Sequence, residues 1–185
     1  SNVWVGNTWG VQCVNELEAY LRNNEQISEY YIYNADNDVN KQISDIEDLI
    51  AKGVDMLILQ PISAESVAAV VEEAYDAGIV VVNCTSPLSD ATDKYNVSVV
   101  ARDYDFGYVG AKWLCEELGG EGNIVCLDGM AGLSSAVLRM QGAQDAFAEY
   151  PGINVIASEY ADWDYATAKP VMDNLLAAYD AVTYT

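Results

Sequence analysis

At 185 residues the chain has length for one large or two small domains, and 29 acidic against 8 basic residues give it a formal charge of −21. That balance argues against nucleic acid, whose phosphates need clustered Lys and Arg, and against an anionic membrane surface. No apolar run approaches the roughly 20 residues that span a bilayer, and the absence of histidine removes the usual general base and the commonest zinc ligand.

The acidic residues read as spread over solvated helix faces. Val3 to Gly10, VWVGNTWG, is a glycine- and aromatic-rich stretch ahead of a helix over 11–23 with Val14, Leu17 and Leu21 facing inward. A short strand at 30–33 and a polar loop at 34–40 precede a helix that carries Ile43, Ile46, Leu49 and Ile50 and ends at Gly53. Met56 to Leu59 is a continuous apolar run, the pattern of a parallel strand buried on both faces, and Pro61 stops it. Ser63 can cap a helix whose inward face carries Val67, Val70, Val71 and Ala74. Gly78 stands where a helix end wants a left-handed residue, and Ile79 to Val82 is a second buried strand. A parallel pair joined by one helix is a right-handed crossover, which sets the fold class as α/β.

A polar loop at 85–95 and a strand at 97–100 lead to a second run of the same alternation. It comprises a helix over 106–118, a strand at 124–127, the loop GMAGLSS at 129–135, a helix to about 149, a strand at 155–158 and a helix over 164–179. Ala181 to Tyr184 looks like the start of one more strand. The expectation is two Rossmann-like lobes with parallel sheets, 1–103 and 104–185, the second incomplete. The short Val3-Trp4-Val5 run and the strand at the other end suggest a fragment of a longer protein.

Asp36, Asp38, Asn40 and Glu47 fit positions 1, 3, 5 and 12 of a calcium loop, but position 6 is Lys41 where the turn requires glycine. The competing reading is that Asn37 or Asp38 caps a helix starting at Val39. GMAGLSS matches neither phosphate-loop pattern and reads better as a ligand-facing turn. Ser134 and Ser135 have no histidine for a hydrolase triad, and among 29 acids a chance carboxylate pair says little about glycosidase chemistry. Cys13, Cys84, Cys115 and Cys126 have no CxxC spacing and read as free thiols. No cofactor is implied. Trp9 and Trp163, in loops, can stack on the C–H faces of a sugar, and the donor fork of Arg139 suits adjacent hydroxyls.

The segments GVDMLILQP, AYDAGIVVVNCTS, VARDYDFGYVGAKWL, GEGNIVCLDGMAGLSSAVLRMQGAQDAF and ASEYADWD resemble the periplasmic sugar-binding proteins of the ribose-binding type, relatives of LacI-type effector domains, over essentially the whole chain. The resemblance implies two lobes around a sugar cleft that close on the ligand. It also implies a non-catalytic role in an ABC importer, a membrane permease as partner, and a periplasmic or extracellular location. In a Gram-positive bacterium that would mean a lipoprotein anchor. The second expectation is the effector domain of a repressor. Carried over by position, the ligand contacts are Asn7, Trp9, Thr85 and Ser86 in the first lobe. Asp103 falls on the hinge side, and the second lobe adds Arg139, opening the motif Arg139-Met140-Gln141-Gly142, and Trp163. Ribose-type members carry Asp-Arg where this chain has Thr85-Ser86, so a charged hydroxyl clamp is replaced by two neutral hydroxyls.

Overall fold

The computed structural model describes residues 1–2, 5–89 and 91–179. The chain divides into two compact units, Ser1–Val100 and Ala101–Thr185. Val3-Trp4 and the expected strand at 181–184 lie outside the described residues.

In the first unit α1 spans Thr8–Asn23, α2 Val39–Lys52, β1 Met56–Leu59, α3 Ala64–Asp76, β2 Val80–Thr85 and β3 Val97–Val100. The three strands are parallel in the order β1-β2-β3, with Leu59 opposite Asn83 and Thr85 opposite Val100. The helix ends follow the local chemistry of the sequence. Asp38 accepts the N–H groups of Asn40 and Lys41, Ser63 accepts that of Ser66, and Gly53 closes α2 at φ 68°. One core joins Ile46 and Leu49 of α2, Val67, Val70, Val71 and Ala74 of α3, Leu57, Leu59 and Val81 of the sheet, and Ile79 just before β2. Gln42, fully buried on α2, donates to Gln60 O at 2.8 Å and accepts the Ile62 N–H at 2.9 Å, tying α2 to the segment after β1.

The expected strand at 30–33 is corrected. Among the described residues that region contributes one parallel bridge, Asn2 to Asn34, with Asn2 N–H on Tyr33 O and Ala35 N–H on Asn2 O, each at 2.9 Å. The Tyr-Ile pattern meets the side-chain requirement of a strand, but strand identity needs a hydrogen-bonded neighbour along its length. The first helix also starts earlier than the apolar spacing indicates, at Thr8, because Asn7 caps it.

The second unit contains α4 Asp103–Glu117, β4 Glu121–Asp128, α5 Ser134–Ala148, β5 Gly152–Tyr160 and α6 Tyr165–Ala178, with β4 and β5 parallel. Helices α4 and α5 meet backbone to backbone. A Cβ on Gly107 would lie 1.9 Å from Arg139 O, and one on Gly142 would lie 2.1 Å from Tyr104 O. Polar links continue along the pair, from Tyr104 OH to Asp145 at 2.7 Å and from Tyr108 OH to Glu149 at 2.5 Å. One apolar cluster here joins Cys115, Ile124 and Ile153, with Leu114, Leu118, Phe147 and Tyr150 around them. Among the described residues no helix is long and apolar enough to cross a membrane.

Candidate functional site

Ligands of open parallel α/β sheets sit beyond the carboxyl ends of the strands. In the first unit β2 ends at Thr85, whose φ is +69°, a left-handed conformation that a β-branched residue adopts at a cost of about 1–3 kcal/mol. Among the described residues its buried Oγ1 has no partner. Two residues back, fully buried Asn83 donates Nδ2 to Ser98 Oγ at 3.2 Å while its Oδ1 has no partner. Ser86 is buried beside them, its N–H on Cys84 O at 3.0 Å. Unpaired buried polar atoms and backbone strain thus coincide at the end of this strand, which makes it a candidate for ligand contact.

Asn7 uses Oδ1 to accept the Gly10 N–H at 2.7 Å, so half of its amide is committed to capping α1. Trp9, in the first turn of α1, is 56% exposed, an indole open to a planar partner. No hydrogen bond among the described residues links Asn7 or Trp9 to Thr85 or Ser86.

The second unit brings three of the candidates together. Asp103 opens α4, and its Oδ1 accepts Arg139 Nε from α5 at 2.7 Å. The guanidinium carbon lies 4.7 Å from the Phe106 ring centroid and 5.7 Å from that of Trp163, so two aromatic rings flank the cation. Trp163 follows Asp162 in a left-handed turn, φ 53° then 50°, and Asp164 anchors that turn by accepting the N–H and the hydroxyl of Thr167 at 2.9 and 3.0 Å. The indole lies on Gly129, where a Cβ would come within 2.3 Å of two ring atoms. A cleft of about 350 Å³ runs along Phe106, Asp128, Gly129, Arg139, Met140 and Trp163. Burial raises the Asp128 carboxyl above its ordinary value, opposed by the Ser158 hydroxyl, and pushes the Cys126 thiol up to about 11.

Phe106 and Gly129 were not among the sequence candidates. Phe106 reads as an ordinary helix residue until α5 is folded against α4, and Gly129 as turn punctuation until an indole covers it. The residues of the calcium template resolve otherwise: Asp38 caps α2, and Asp36 Oδ1 accepts Asn34 Nδ2 at 2.7 Å. All four thiols are free, with Cys13 exposed and Cys115 buried.

In this parallel α/β unit an arginine of α5 and two aromatic rings line a cleft of small-molecule size. The chain belongs to the periplasmic binding protein domain family, whose profile matches residues 1–184. It is 33% identical over 145 residues to the xylitol-binding protein of Mycolicibacterium smegmatis, covering 78% of this chain and 41% of that protein. To the ribose import binding protein of Bacillus subtilis it is 31% identical over 148 residues, 80% of this chain and 47% of the relative. Among solved structures, the fructose-binding periplasmic domain of a hybrid two-component system superimposes with a TM-score of 0.82 at 30% identity, over 95% of this chain and 58% of that one. A galactofuranose-binding protein does so at 0.83 and 28%, over 97% and 60%. The chain spans about half the length of the curated relatives it matches.

Proposed function

We propose that this chain is part of the solute-binding component of a bacterial sugar ABC importer, non-catalytic, binding one monosaccharide-sized neutral polyol. The observation that supports it most is the Arg139–Asp103 pair between Phe106 and Trp163. With Nε on Asp103, the Nη edge of Arg139 is left for vicinal hydroxyls, and the indole offers an apolar face to the C–H side of a sugar ring. At the other strand end Thr85 Oγ1 is a neutral hydroxyl without a partner, which suits a neutral ligand. The names of the relatives, for xylitol, ribose and galactofuranose, agree with a polyol.

The ligand contacts in this reading are Asn7, Trp9, Thr85, Ser86, Arg139 and Trp163, with Asp103 behind Arg139. A membrane permease is the partner that recognises the ligand-bound form. The place of work is the periplasm or the outer cell face, with a lipid anchor in a Gram-positive host.

Thermal unfolding and Trp fluorescence of the complete gene product test this against D-ribose, xylitol, D-allose, D-fructose and myo-inositol. A polyol that binds the native state raises Tm by mass action, by about 2.7 kcal/mol of stability at a hundredfold excess over Kd. Silence with every polyol, together with a shift from a nucleoside or a peptide, would overturn it.

A further inference from the structure

Resting on the reading of Arg139 as the donor to sugar hydroxyls, we infer that Asp103 is a positioning residue: it fixes the guanidinium and does not itself touch the sugar. The two ends of the pair differ in access. The Asp103 side chain is 0% exposed, whereas that of Arg139 is 37% exposed. The carboxylate takes Nε at 2.7 Å, the one guanidinium nitrogen on the stem side, and so leaves the terminal fork for another partner.

The anchor is set by backbone rather than by adaptable side chains. Gly107 lies against the carbonyl of Arg139 itself, and Gly142 against that of Tyr104, next to Asp103. The arginine stem and the carboxylate are therefore held at a fixed separation by α4 and α5. Phe106, three residues after Asp103, carries the ring 4.7 Å from the guanidinium carbon, so one turn of α4 supplies both the anchor and one aromatic wall.

The pair is poorly arranged as a purely structural ion pair. Asp103 Oδ2 is buried with no partner, although a second hydrogen bond from the guanidinium would satisfy it. What the single bond does is remove rotamer freedom from a long side chain before any ligand arrives. The sugar then meets an ordered fork and is spared that ordering cost.

The test is a double-mutant cycle in the complete gene product, titrated calorimetrically with D-ribose, xylitol and myo-inositol. Alongside it, the Nε–H resonance of Arg139 is followed by ¹⁵N NMR without ligand. An Arg139→Ala spectrum makes the assignment. For whichever polyol binds, Arg139→Ala is expected to weaken binding about a hundredfold, and Asp103→Ala about tenfold, the worth of one immobilised side chain. Asp103→Asn, which keeps the acceptor oxygen, stays within about threefold, and Asp103→Ala adds nothing once Arg139 is alanine. The Nε–H resonance is shifted and protected from exchange in the wild type and in Asp103→Asn, and loses both features in Asp103→Ala. A further tenfold loss on adding Asp103→Ala to Arg139→Ala would make Asp103 a direct ligand contact and overturn the inference. So would wild-type affinity in Asp103→Ala, or an unchanged Nε–H resonance. If none of the three polyols binds the wild type, the sugar reading fails on its own, and the resonance decides whether Asp103 holds the guanidinium.

Discussion

Both units build parallel sheets with helices packed on them, by different means of cohesion. The first is held by one apolar core in which two helices and two strands share Ile46, Val67, Val71, Leu57, Leu59 and Val81, all at 2% exposure or less. In the second, a cluster of Cys115, Ile124 and Ile153 stands beside a glycine-to-backbone helix contact reinforced by tyrosine–carboxylate bonds. Their candidate sites differ in the same sense. The first offers neutral, strained and unpartnered groups at a strand end, while the second offers a cation with an anchor and two rings. A large core tolerates a few dissatisfied polar atoms at its edge.

The contrast can be broken most strongly at the two sources of cohesion. Gly107→Ala puts a methyl 1.9 Å from the Arg139 carbonyl oxygen and must separate α4 from α5. Leu59→Ala empties a fully buried position of the first core. Each is expected to cost about 3 kcal/mol. Hydrogen exchange will assign the first loss to the second unit and the second loss to the first unit, and a shared loss would mean that the two cores are not separate. Next comes Gly129→Ala, which removes the space under the Trp163 indole. Binding of a responsive polyol should weaken about tenfold, the worth of about 1.4 kcal/mol, because an aromatic stack contributes of that order. Tm should move little, since the indole is already 38% exposed.

Thr85→Gly sharpens the contrast in the opposite direction. Glycine accepts φ +69° without strain, so denaturant unfolding should show a gain of about 0.5–1 kcal/mol together with weaker polyol binding. A variant that binds normally would remove Thr85 from the site. The smallest effect is chemical. Burial raises the Cys126 thiol to about 11, so the stability tied to its neutral form is whole below pH 9 and lost as pH climbs from 9 toward 11. In an iodoacetamide time course at pH 8 read by mass spectrometry, exposed Cys13 should react first, with Cys126 and buried Cys115 lagging well behind.

Much of the fold was legible because its signals are local. The apolar run Met56 to Leu59, the capping Ser63 and Asp38, and the helix-ending Gly53 each act within a few residues of themselves. The stretch at 30–33 shows the limit, since side-chain pattern does not supply a neighbouring strand. The pairing of Arg139 with Asp103 joins residues 36 apart, and the approach of Gly107 to Arg139 depends on how two helices cross. No window of sequence contains either fact. Arg139 and Trp163 could be picked out by residue type and resemblance, whereas Phe106 and Gly129 acquire a role only from what folds over them.

The contact of Gly107 with α5 has a mechanical meaning. Where two helices touch through side chains, each can shift by small rotamer changes in the other. Here peptide atoms meet peptide atoms at two points, so there is little compliance between α4 and α5. A displacement of α5 at Arg139 is therefore expected to carry α4 with it, and with α4 the carboxylate of Asp103 in its first turn.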